Sequence, residues 1–253
     1  MSVIWKDGRF VDGLKNHISH NDAGFTNGLG VFDTMRAENG ILIDAREHFE
    51  RLLHDADYVL GYNRTWIPAF EAMTEAWLPL LAENNLTNGF ARIKTIITGG
   101  ITDTPLSVSS IPSILITAVR AQDPKTLPSV KAAVITDFPR IARAKIENCK
   151  RLDYTRSFAA RREAQKRGAD EAILTNTDGN IACAATSNLF IVENGVWTTP
   201  PLSDGVLAGI TRATLIGEKQ AREESISIPR LMNADEVYIC NAMAGLRKVL
   251  KIL

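Results

Sequence analysis

A chain of 253 residues with 45% apolar side chains can bury one large core or two modest ones. Its 29 basic and 29 acidic residues cancel, so no long-range field draws it to nucleic acid or to an anionic membrane, and any anion is bound locally. Three separated cysteines and four scattered histidines give neither a disulfide framework nor metal-ligand spacing, and no apolar run reaches the about 18–20 residues of a membrane-spanning helix.

Residues 1–6 lack the basic-then-apolar pattern of a secretory leader, which points to the cytoplasm. Val3-Ile4-Trp5 and Phe10-Val11 flank an Asp7-Gly8 turn, so the fold is expected to begin with antiparallel sheet. Residues 21–36 are glycine-dense: Gly24, Gly28 and Gly30 permit positive φ and close backbone approach in a loop that runs into a strand over 31–37. Over 45–61, Phe49, Leu52, Leu53, Ala56, Val59 and Leu60 recur at helical spacing behind Asp44, a suitable N-cap. On composition alone, Arg51 on this helix would be a solvated partner of Glu47 or Asp55. The spacing predicts a second amphipathic helix over 67–84, an alternating strand over 90–98 stopped by Gly99-Gly100, and a further strand over 113–118.

The stretch 120–128 is polar and carries Asp123-Pro124-Lys125, which makes it the best linker in the chain. It separates a smaller N-terminal domain, residues 1–120, from a larger C-terminal one, 129–253, through a linker at 121–128. Beyond it, expected strands over 130–137, 171–175, 181–183, 188–192 and 236–240 surround helices over 157–168 and 210–224, a mixed α/β (α+β) pattern without repeats. Lys150 sits just before the first of these helices, where a lysine can point into a pocket rather than lie on a wet face, and is a candidate nucleophile. Gly209-Ile210-Thr211 opens the second helix, whose free N–H groups and dipole favour an anion. An ordinary glycine-ended loop feeding a helix would read the same way.

One order of motifs runs through this half: Lys150, Ala169-Asp170-Glu171-Ala172, Asp178-Gly179, Ser187-Asn188-Leu189-Phe190, Thr199-Pro200-Pro201 and Leu207-Ala208-Gly209-Ile210-Thr211-Arg212. It resembles the class IV aminotransferases, pyridoxal 5'-phosphate (PLP) enzymes that include branched-chain aminotransferase, D-amino-acid aminotransferase and aminodeoxychorismate lyase. Glu47-His48-Phe49-Glu50-Arg51-Leu52 is similar to the family's EH-x-x-RL. Residues 21–36 resemble its DRGF-x-x-GDGVFET-x-R, with Ala23, Leu29 and Asp33 in place of arginine, aspartate and glutamate. The strand over 90–98 fits a family R-x-x-x-T-x-G strand that assigns no role to Arg92 or Lys94.

The resemblance implies a two-domain fold like that of D-amino-acid aminotransferase (PLP fold type IV), a homodimer, and transamination between a small amino acid and a 2-oxo acid. It makes Lys150 the Schiff-base lysine and the group that shuttles the α-proton. Lys145 imitates a local K-x-x-N pattern but lies five residues early. Arg51, Gly209, Ile210, Thr211, Asn241 and Ala242 are implied to hold the phosphate. Tyr154 is either a partner of the cofactor's phenolic oxygen or a core tyrosine. Cys183 occupies the place of a family glutamate that pairs with the pyridine nitrogen, and a thiol with a pKa near about 8.5 protonates that nitrogen less readily than a carboxylate near about 4. Two alternatives stay open: aminodeoxychorismate lyase, which makes 4-aminobenzoate and pyruvate, and a PLP-binding protein with little turnover.

Overall fold

The structure is a computed structural model that describes residues 2–104 and 107–253. The chain forms two compact units, Met1–Asp123 with Lys150–Asp153, and Pro124–Cys149 with Tyr154–Leu253.

In the first unit, Val3–Lys6 (β1) and Arg9–Asp12 (β2) make the hairpin around Asp7-Gly8. Next come Ala23–Asn27 (α1), Gly30–Glu38 (β3), Ile41–Leu42 (β4), Ala45–Leu60 (α2), Phe70–Glu83 (α3), Phe90–Thr98 (β5) and Ser113–Arg120 (β6). The strands build one antiparallel six-stranded sheet in the order β2-β1-β6-β5-β3-β4. Successive side chains of a strand alternate between faces. Thus Val31, Met35, Ile93, Ile97 and Ile116 join Phe49, Leu52, Leu53, Trp77 and Leu80 of α2 and α3 in one core. Phe32, Thr34, Arg36, Arg92 and Lys94 therefore belong to the other face.

Three local features differ from the sequence reading. The glycine-dense stretch contains a short helix, α1, because the Asp22 carboxylate accepts from the amides of Gly24 and Phe25, and Gly28 ends it in the left-handed region at φ 66°. Asp44 stands at the N-cap position of α2 but has φ 51° and makes no side-chain cap. The helix α3 starts at Phe70, not at 67, because Ile67 precedes Pro68 and is extended at φ −110°.

The second unit contains Val130–Arg140 (β7), Thr155–Lys166 (α4), Glu171–Asn176 (β8), Asn180–Ala184 (β9), Asn188–Glu193 (β10), Val196–Thr199 (β11), Ile210–Lys219 (α5), Arg222–Glu223 (β12), Ile226–Ser227 (β13), Ile228–Asn233 (α6), Glu236–Asn241 (β14) and Gly245–Ile252 (β15). The strands form a nine-stranded mixed sheet, β12-β11-β10-β14-β15-β7-β8-β9-β13. Parallel pairing joins β15 to β7, β7 to β8 and β11 to β12. Every residue of β8 is buried, as a strand covered on both faces requires. One face packs Ile173, Ile181, Leu189, Ile191 and Ile239. The other packs Ala160 and Ala164 of α4 against Ala133, Ala172, Leu174 and Cys183, small residues that allow close helix–sheet approach. Helix α5 ends at Lys219, ahead of the expected 224, because Gln220 takes a left-handed turn at φ 48° and the chain then pairs with β11.

Candidate active site

Lys150 packs with the first unit through its backbone. The Phe32 amide donates to the Lys150 carbonyl at 2.9 Å, the Leu152 amide donates to the Gly30 carbonyl at 2.9 Å, and the Lys150 amide donates to Asp55 Oδ2 at 2.8 Å. This pairing needs glycine at position 30, where a Cβ would stand 2.5 Å from Leu152 Cδ1 and 2.8 Å from the Ile97 carbonyl. With the main chain fixed on both sides, the Lys150 ammonium lies 4.6 Å from the centroid of the Phe32 ring.

Behind Phe32 on β3, Asp33 turns to the core side and is buried. Its Oδ2 accepts from Nε and Nη2 of Arg51 at 2.8 Å each, and Oδ1 lies 2.6 Å from His48 Nδ1. An ionised carboxylate only accepts, so His48 donates from Nδ1. Burial alone would raise the Asp33 carboxyl; Arg51, then the His48 hydrogen bond and charge, and then Lys150 outweigh it and hold it below the usual carboxylate range. Arg51 is therefore not a solvated side chain but a largely buried partner of Asp33. On the open face of the sheet, Lys94 Nζ stands 4.3 Å from the same Phe32 ring.

The other predicted residues belong to the second unit. Gly209 is the N-cap of α5 and carries no side-chain cap, leaving the first amides of a ten-residue helix to another acceptor. A Cβ at 209 would meet Asn188 Oδ1 at 2.1 Å, so only glycine permits this approach to β10. Asn188 Nδ2 donates to the Leu207 carbonyl at 2.9 Å, which fixes the loop before the helix. Buried Arg212 anchors the helix, donating to the Pro200 carbonyl at 2.9 Å and pairing with Glu223. Asn188 also pairs with Cys240 across β10 and β14. The turn after β14, with Asn241 and Ala242, thus shares one end of these strands with the start of α5. Asn241 Nδ2 donates to Ser187 Oγ at 3.0 Å, and its Oδ1 accepts from the amides of Met243 and Ala244. Those two amides are consequently occupied by Asn241.

Cys183 lies on β9 opposite Leu174, in the alanine-rich layer under α4. Burial pushes its thiol above the ordinary range; Arg140 and Arg156 pull it down, while Glu147 and Glu171 push it up. Glu147, itself buried, sits between Arg140 Nη2 at 3.1 Å and Arg156 Nη1 at 2.6 Å. Tyr154 is the N-cap residue of α4 and is 36% exposed, which removes the core-tyrosine reading.

The structure places Gly209, Ile210, Thr211, Asn241 and Ala242 at one strand end of the second unit, and Lys150, which the sequence reading assigned to the C-terminal domain, in the first unit with Arg51. Sequence reasoning missed Asp55, Phe32 and the Arg140–Glu147–Arg156 cluster. Asp55 had a signal: it follows Arg51 by one helical turn and so shares its face.

The amino-transferase class IV family profile matches residues 30–252. A protein of Methanocaldococcus jannaschii, provisionally named a branched-chain-amino-acid aminotransferase, is 32% identical over 98% of this chain and 87% of its own. A D-alanine aminotransferase of Staphylococcus epidermidis is 29% identical over 100% of this chain and 89% of its own. The solved branched-chain aminotransferase of Thermoproteus uzoniensis, crystallised with norvaline, superposes with a TM-score of 0.89 at 30% identity, covering 99% of this chain and 87% of that one. The chain belongs to the class IV aminotransferases.

Proposed function

We propose that this enzyme moves the amino group of a small amino acid to a 2-oxo acid, with PLP attached to Lys150. Family membership carries the reaction class. The observation that supports Lys150 is its backbone, bonded to Phe32 and Asp55, which fixes the root of the side chain.

The donor set suits PLP. A phosphate dianion matches the uncapped N-terminus of α5 at Gly209, Ile210 and Thr211, where backbone amides and the helix dipole favour negative charge. The Thr211 hydroxyl and the Arg51 guanidinium would add charge-assisted hydrogen bonds, and the Asn241-Ala242 turn further backbone donors. Tyr154 would donate to the phenolic oxygen. Cys183 would face the ring nitrogen as an uncharged thiol. PLP supplies an electron sink for the pair released when the substrate loses its α-proton. Lys150 Nζ is the group that takes that proton and redelivers it.

Branched-chain and D-alanine aminotransferases among the relatives suggest a small aliphatic amino donor. We further read the protein as a cytoplasmic homodimer; no helix among the described residues is long and apolar enough to cross a membrane. Sedimentation at micromolar concentration checks the dimer, and a monomer would contradict it. For the reaction, purified protein with PLP is assayed with 2-oxoglutarate and a panel of L- and D-amino acids, beside aminodeoxychorismate. Glutamate formation is expected; 4-aminobenzoate formation without glutamate would replace this reading with the lyase.

A further inference from the structure

Three cations share the face of the first unit's sheet that turns away from α2 and α3. Arg36 on β3 stands directly opposite Arg92 on β5, and Lys94, two residues further along β5, stands opposite Thr34. Like charges directly opposite one another on a sheet face are destabilising. None of the three has an ion-pair partner among the described residues, and Arg36 Nε is buried without an acceptor. Glu38, on the same face of β3, stands opposite Phe90 and forms no ion pair with them. Sequences keep such local conflicts at functional sites, where a bound group supplies the missing countercharge.

Lys94 is the member of this cluster beside the reacting amine. Its Nζ lies 4.3 Å from the centroid of the Phe32 ring and Lys150 Nζ lies 4.6 Å from the same centroid, so the two nitrogens are at most about 9 Å apart. A reacting carbon stands about 3–3.5 Å from the group that acts on it, and a hydrogen bond between charged groups spans about 2.7–2.9 Å. What remains is about 3 Å, the span of two or three carbon–carbon bonds of about 1.5 Å. Burial, and then the charges of Arg92 and Lys150, disfavour the Lys94 ammonium; an anion seated on it offsets that cost.

We propose that Lys94 is a specificity-determining residue: its ammonium takes the distal carboxylate of a dicarboxylic 2-oxo acid, the second acid lying two or three carbons beyond the reacting carbon. Arg36 and Arg92 supply the surrounding positive field. A neutral side chain on the same face leaves the three cations uncompensated, so aliphatic 2-oxo acids are disfavoured as acceptors. The substrate concerned is the acceptor, not the amino donor. The inference rests on the transaminase reading, with Lys150 as the group that moves the α-proton.

The test separates binding from turnover. Glutarate, which has both carboxylates but no carbonyl to react, is titrated calorimetrically into the PLP-loaded, full-length chain, beside butyrate, which has one carboxylate fewer. Glutarate is expected to bind more tightly, and Lys94→Met to weaken its binding by about tenfold or more, the usual worth of a hydrogen bond between charged groups. Lys94→Gln repeats the measurement should the methionine variant fail to fold. In transamination, the ratio of kcat/KM for 2-oxoglutarate to that for pyruvate is expected to fall by a similar factor, through KM. Glutarate binding no tighter than butyrate in the wild type, or an unchanged glutarate affinity or an unchanged kcat/KM ratio in the variants, overturns the proposal. Absence of turnover with every 2-oxo acid would instead overturn the transaminase reading, and the glutarate titration would still decide the role of Lys94.

Discussion

Arg51 reaches Asp33 with Nε and Nη2, each 2.8 Å from Oδ2. The pair joins α2 to β3, and the residue before Asp33 on β3, Phe32, donates its amide to the Lys150 carbonyl. A side chain implied to grip phosphate is therefore itself oriented by a buried carboxylate.

Neutralising that carboxylate takes from the Arg51 guanidinium and the His48 imidazole the anion they share. Asp33→Asn is expected to lose about 3–5 kcal/mol of stability, the usual cost of breaking a buried pair from one side, read as a lower urea midpoint at neutral pH. The folded carboxyl titrates below the unfolded one, so ionised Asp33 contributes its stability above the unfolded value of about 3.9 and loses it as the pH falls through the folded value. The wild-type urea midpoint should consequently drop more steeply below about pH 4 than that of Asp33→Asn. Parallel curves would show that Asp33 is not the titrating group.

Gly209→Ala places a methyl where Asn188 Oδ1 stands 2.1 Å away. Overpacking of this kind costs about 1–3 kcal/mol, and displacing Asn188 also breaks its bond to Leu207. Weaker PLP binding and a lower Tm are expected together. Asn188→Ala removes the obstacle, so the double variant should be less destabilised than the sum of the singles. Strict additivity would contradict the contact.

Cys183→Glu installs the carboxylate that the resemblance implies for this position, in a buried place flanked by Glu147 and Glu171 as well as Arg140 and Arg156. A buried carboxylate without a partner destabilises the fold; a ring nitrogen supplies one. PLP should therefore raise the Tm of Cys183→Glu more than it raises that of wild type. An equal or smaller rise would mean that residue 183 does not face the ring.

Much of this was legible in the sequence because it was local. Strand β5 occupies the stretch that alternation marks, 90–98, and Asn39-Gly40 and Asn194-Gly195 turn at positive φ as those pairs invite. Pairings between distant elements were not. Asp33 and Arg51 meet only because β3 and α2 pack together, and nothing within either segment announces it. Lys94 drew no role from its strand motif; its neighbour Phe32 is set by register, which is tertiary. For Cys183, counting from Asn188 selected the position, but the surrounding charges come from β7, the turn over Lys145–Asn148, α4 and β8. Asp44 shows the reverse error, where a good capping residue sits at a helix start whose backbone, at φ 51°, keeps the side chain from capping.

The attachment of PLP to Lys150 is tested most directly by borohydride reduction of the PLP-loaded protein followed by proteolysis and tandem mass spectrometry. The pyridoxyl group is predicted on Lys150, and Lys150→Ala is predicted to lose both the adduct and the near-visible absorption band. An adduct on Lys145 or Lys94 in the wild-type protein, or an undiminished band in Lys150→Ala, would contradict it.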